Sequence, residues 1–145
     1  MQSYPHHYRT AVDVAADERN IVVRAPGLPD LETNAPAEYD GPGHLWSPET
    51  LLVAAVADCY ALSFRAIARA SNLEWRALAC EVEGTLDKVD RTVRFTEIRI
   101  RATLDVPAGS ESRAGRILHK AEETCLVTNS LSAKIDFNAE VTVVD

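Results

Sequence analysis

Positive charge is scarce in this chain of 145 residues: 15 Lys and Arg stand against 22 Asp and Glu, for a formal net charge of −7. The basic residues are scattered and form no run. That argues against a nucleic-acid partner, whose phosphates need a basic face. No charge-free apolar segment reaches the ~20 residues of a transmembrane helix, because Asp58 and Arg65 interrupt the best candidate. No membrane partner is therefore expected. The first residues, MQSYPHHYRT, lack the basic-then-apolar plan of a signal peptide, so a cytoplasmic location is the expectation. There is no C-x-x-C, and His44 and His119 lack the spacing of a zinc site. Only three cysteines are present, and in a reducing compartment they are not expected to be structural staples. Internal repeats and low-complexity segments are also absent. What remains is 46% hydrophobic and 26% charged, the balance of an ordinary globular protein. A single domain over residues 1–145 is expected, long enough to bury roughly 68–70% of its unfolded surface.

The stretch from Ser47 to Ala70 organises the rest. Ser47 suits an N-cap, Pro48 the first helical position, and Glu49 the positive end of a helix dipole. The following LLVAAVADCYALSFRAIARA contains no Gly or Pro, so one uninterrupted helix is expected. It would be about 34 Å long at ~1.5 Å per residue. Leu51, Leu52, Ala55, Val56, Cys59, Leu62, Ser63 and Ala66 follow helical spacing and are expected to form its apolar stripe.

Ahead of this helix, Tyr8 to Val14 and Ile21 to Arg24 read as strands of an antiparallel hairpin around the polar turn 16–20. Residues 25–46 are rich in Pro and Gly and read as a long loop with at most one short extended piece. Behind the helix, Leu78 to Leu86 and Val93 to Val106 alternate in polarity, so each should bury one face. A slip in phase between Phe95 and Ile98 marks a bulge. Glu111 to about Thr124 is a second amphipathic helix, with Ala114, Ile117, Leu118 and Ala121 inward. After a connector over 126–132, Lys134 to Val144 is the last strand. The order ββ–α–ββ–α–β predicts an α+β domain with helices packed on antiparallel sheet.

Chemistry centres on Cys59, within the central helix, and Cys125, at the end of the second. Each could simply be a small buried hydrophobe. Cys80 lies between Ala79 and Glu81 in an alternating strand, where packing is the expected role and acidic neighbours would make it a poor nucleophile. Taken together, however, W-S-P-E-T-L-L-V-A-A-V-A-D-C-Y and A-E-E-T-C-L-V-T-N-S-L resemble the two cysteine motifs of the OsmC/Ohr family of thiol peroxidases. The Gly41-Pro42-Gly43 segment and the order of elements agree with that family, and the resemblance covers about residues 8–145.

The resemblance implies an OsmC/Ohr-like fold with sheets packed on a long central helix, and an intertwined homodimer. It implies a cysteine-based hydroperoxide reductase of oxidative-stress defence, acting on organic hydroperoxides and extending to hydrogen peroxide. Cys59 would be the peroxide-reacting thiol and Cys125 the resolving thiol. Glu49 would partner an active-site arginine, carried over to Arg19, with Arg24 as the alternative and Arg9 a remote third. No cofactor is implied beyond an external dithiol or thiol reductant. Cys59 lies about three turns into the helix, beyond the reach of the N-terminal dipole, so its thiolate needs a nearby cation. Glu49 and Cys59 are ten residues apart, or ~15 Å along the axis, and cannot touch within one helix. Trp46, Tyr60, Leu62 and Phe64 could supply apolar surface near Cys59, although core packing explains each as well. Two rival classes stay open: a non-enzymatic module that binds a small ligand around buried cysteines, and an enzyme using its thiols for disulfide reduction.

Overall fold

Ile21-Val22-Val23-Arg24 is the middle strand, β2, of a small antiparallel sheet, as its β-branched run suggests. It pairs on one side with β1 (Ala11–Val12) and on the other with β3 (Leu31–Thr33). This sheet belongs to the first of two units, Met1–Leu51 and Leu52–Asp145, into which the computed structural model, describing residues 1–145, divides. The expected hairpin forms, with a first strand much shorter than 8–14. The Pro- and Gly-rich stretch supplies β3 as its one extended piece, followed by a 3-10 turn at Ala37–Tyr39. Asn34 ties this loop to the hairpin turn, since its amide nitrogen donates to the Arg19 carbonyl (2.9 Å) and to Asn20 Oδ1 (2.8 Å).

Helix α1 runs over Pro48–Ala70, the bounds read from its sequence. Its cap is reciprocal: the Thr50 N–H donates to Ser47 Oγ (3.1 Å), and the Ser47 N–H donates to Thr50 Oγ1 (2.9 Å). At the far end Asn72 takes a left-handed backbone (φ 49°) and the Leu73 N–H bonds back to the Ala68 carbonyl, which stops the helix in a Schellman-type closure. By length and composition α1 is long and apolar enough to cross a bilayer, a measure that a protein's core helix also meets. Asp58 and Arg65 are too few to lower it below that level.

The second unit holds a three-stranded sheet in the order β4-β5-β6. Strands β4 (Ala77–Val89) and β5 (Thr92–Val106) form a long antiparallel hairpin. Asp90 and Arg91, both with positive φ (48° and 70°), close it, as a two-residue turn matched to strand twist requires. The bulge expected between Phe95 and Ile98 is present: Thr85 faces Glu97 and Leu86 faces Phe95, leaving Thr96 unpaired. The last strand, β6 (Lys134–Val143), pairs with β5 in parallel, from Glu97↔Lys134 to Val106↔Val143. The sheet is therefore mixed where antiparallel pairing was expected. The reason is the connection, a crossover through α2 (Glu111–Glu123) and α3 (Leu126–Asn129), which returns the chain to the end from which β5 started.

One face of this sheet is wet and carries an ion-pair network. Arg99 pairs with Glu83 (3.3 Å), Glu97 (3.2 Å) and Asp136 (3.3 Å), and Arg101 pairs with Asp136 (2.9 Å). The other face packs on helices. Tyr60, Phe64 and Ala68 of α1 join Ala102, Leu104 and Val106 of β5 and Ala114, Leu118 and Ala121 of α2 in one cluster, and Val56 meets Ile98 and Ile100 in a second. The inward stripe of α1 is thus Val56, Tyr60, Phe64 and Ala68. Of the expected stripe only Val56 is buried; Ala55, Leu62 and Ala66 are exposed. The sequence offers two apolar faces on this helix, and the aromatic one wins because it removes more surface from water.

Candidate functional site

All three cysteines lie in the second unit and carry free thiols. Cys59 is half-buried on α1. Cys125 is fully buried at the residue that opens α3, where its extended backbone (φ −65°, ψ 105°) turns the chain out of α2. Cys80 is half-buried on β4, opposite Ala102 of β5.

The fold brings Cys59 near Cys125 across 66 residues of sequence, close enough for one thiol to perturb the other. Burial pushes the Cys125 thiol up from its ordinary value. The N–H and hydroxyl of Thr128, which face the sulfur, pull it down, and the adjacent Cys59 thiol adds to the rise. Thr128 is itself buried, and its hydroxyl donates to the Cys125 carbonyl at 3.1 Å. The Asn129 N–H reaches the same carbonyl at 3.0 Å, so one turn of helix locks the backbone that carries the thiol. Sequence reading missed Thr128, although a hydroxyl three residues beyond Cys125 is capping spacing.

Cys80 is the second thing the sequence did not place. Its thiol is pushed up to about 11, first by burial, then by the charge of Cys125, and least by Glu81. The direction was legible from its acidic neighbours, but burial is the larger cause. Cys80 also sits beside Tyr60, whose phenol is raised by burial first and then by the charges of Cys80 and Glu122. The Tyr60 hydroxyl donates to the Leu118 carbonyl at 3.3 Å. Of the aromatic and apolar candidates near Cys59, Tyr60 and Phe64 are fully buried in the core, and Leu62 and Trp46 are about half exposed.

The charged candidates belong to the first unit. Glu49, in the opening turn of α1, has one buried carboxylate oxygen (Oε2) with no hydrogen-bond partner. Arg24 is engaged by Asp30 at 3.4 Å. Arg19 makes no ion pair within the chain; its carbonyl, not its guanidinium, is held by Asn34. No group of three or more His, Cys, Asp or Glu side chains is arranged to hold a metal ion.

A family model described as OsmC-like protein matches residues 41–140, which contain the α1 thiol, the crossover and all of the mixed sheet but the end of β6. The chain belongs to the OsmC family. Among curated relatives, the uncharacterised protein YmaD of Bacillus subtilis (strain 168) is 23% identical over 142 residues, 95% of either chain. Peroxiredoxin OsmC of Escherichia coli (strain K12) is 26% identical over 95 residues, 66% of either chain. Among solved structures, an organic hydroperoxide resistance protein OsmC from Legionella pneumophila superposes with a TM-score of 0.75 at 22% identity, covering 97% of this chain and 99% of its own. The OsmC-like α+β fold expected from the sequence is thereby established.

Proposed function

We propose that this OsmC-family protein acts as one domain and is a thiol-dependent peroxidase that reduces organic hydroperoxides, with Cys59 as the peroxide-reacting thiol and Cys125 as the resolving thiol. The observation that carries this reading is the nearness of two thiols, one from α1 and one from the start of α3. The similarity to a peroxiredoxin of the same family supports it. The Cys59 thiolate attacks the outer oxygen of the hydroperoxide. An S–O bond forms as the O–O bond breaks, and the departing alkoxide takes a proton to leave as the alcohol. The Cys125 thiolate then attacks the sulfenic sulfur, closing a disulfide and expelling hydroxide, which is protonated to water. An external dithiol reduces the disulfide by exchange.

Arg19 is the proposed cation for the Cys59 thiolate, and Glu49 its partner. Arg24 is the weaker choice because Asp30 already holds it. The orphan carboxylate oxygen of Glu49 favours a cation from elsewhere, since buried charge is costly unless paired. The homodimer belongs to the same proposal: only 22% of the most apolar window of α1 is buried within one chain.

The test is mass spectrometry after one equivalent of an organic hydroperoxide. A loss of two mass units mapping to a Cys59–Cys125 peptide is the expected result. Cys125→Ser should react once and stall, with excess peroxide carrying Cys59 to the sulfinic acid. Unmodified thiols would sink the enzyme in favour of a binding module, and a bridge through Cys80 would sink the assignment of the resolving thiol.

A further inference from the structure

Cys125 and Thr128 are 0% and 4% exposed within one chain, so their arrangement is complete without a second copy. Cys125 stands directly before α3, and Thr128 is the third residue of that single turn. Such spacing aims the third residue's N–H at the side chain of the first, and here both the N–H and the hydroxyl of Thr128 face the Cys125 sulfur. The hydroxyl donates to the Cys125 carbonyl at 3.1 Å. Back-bonding of threonine to a carbonyl three residues earlier is common and by itself only structural. What it leaves unexplained is a second donor to the same carbonyl, the Asn129 N–H at 3.0 Å. Because of that donor, the hydroxyl can turn away without orphaning a buried acceptor. A thiolate in so dry a place needs donors, and the titratable groups that face it, Cys59 of α1 and Cys80 of β4, bring no positive charge.

We propose that the Thr128 hydroxyl is a rotor for the resolving step: it donates to the Cys125 carbonyl while the thiol is protonated, and to the Cys125 sulfur once the thiol ionises. This role rests on the peroxidase reading, whose resolving step it serves. Thr128 is a positioning residue and transfers no proton. The proton of the Cys125 thiol leaves as water with the hydroxide expelled from the Cys59 sulfenic acid, as the S–S bond forms and the S–O bond breaks. Losing one hydrogen bond to a charged acceptor moves an ionisation by about one to two pH units.

Two readouts test it: the Cys125 Cβ resonance of carbon-13 cysteine-labelled protein as pH rises, and the rate of bridge closure after one equivalent of organic hydroperoxide. Thr128→Val keeps the shape and loses the hydroxyl, whereas Thr128→Ser keeps the hydroxyl. Valine should raise the ionisation midpoint of Cys125 by about one pH unit or more, and serine should restore it. At pH 7 valine should slow bridge closure about threefold, because about tenfold less thiolate is partly offset by its greater nucleophilicity. Above both midpoints the valine variant should close faster than the unsubstituted protein, an inversion that a merely distorted α3 would not produce. Should valine not fold, Thr128→Ser against Thr128→Ala repeats the comparison, since these differ only in the hydroxyl. Equal midpoints with and without the hydroxyl overturn the role of Thr128, even where the bridge forms. No Cys59–Cys125 bridge in the unsubstituted protein overturns the reaction itself, whatever the midpoints.

Discussion

At the scale of single residues, two of the three thiols are hard to ionise. The buried Cys125 is raised, and Cys80 stands at about 11. A raised thiol holds its proton at neutral pH and attacks slowly, because the thiolate is the nucleophile. Closure of the Cys59–Cys125 disulfide should therefore be slow at pH 7 and accelerate by about tenfold per unit as pH rises, until it passes the elevated Cys125 value. Stopped-flow kinetics of disulfide formation across pH 6–10 would check this; a rate flat above pH 7 would contradict it. The motifs around Cys59 and Cys125 were legible because they are local in sequence. Thr128 and the nearness of Cys80 were not, since they depend on how α3 turns and on the pairing of Cys80 with Ala102 in the sheet. Alternation within one strand cannot say what stands opposite.

At the scale of elements, helix α1 and the β4–β5 hairpin meet at a point with no spare room. A Cβ built on Gly84 would lie 2.7 Å from Phe95 Cε1 and 2.9 Å from Val53 Cγ2, so the bare strand backbone admits both side chains. Gly84→Ala should lower stability by about 1–3 kcal/mol through overpacking, read as a fall in the urea midpoint with an unchanged slope. An unchanged midpoint would mean that Phe95 and Val53 shift freely. Element bounds were read well: α1 and β6 lie within a residue of expectation, because caps and clean alternation are strong local signals. The inward face of α1 was not, since both Leu62 and Phe64 lie on apolar stripes, and only the sheet decides which is covered. The parallel docking of β6 was hidden for the same reason: strand direction is set by the crossover, not by the strand's own residues.

At the scale of the whole molecule, the uncovered apolar length of α1 is the feature that asks for a second copy. Sedimentation at micromolar concentration should give the mass of two chains, and a folded monomer there would refute the homodimer. The crossover has a further consequence, in the order of events during folding. The β4–β5 hairpin closes through a two-residue turn, a local step of ~1–10 μs. Pairing of β6 with β5 joins residues 37 apart, as between Arg99 and Asp136, and so waits on a slower loop closure. Cys125 rides on that loop. The two thiols consequently become neighbours only late, when the crossover docks, and a chain still maturing spends its early life with Cys59 unable to close a bridge to its partner.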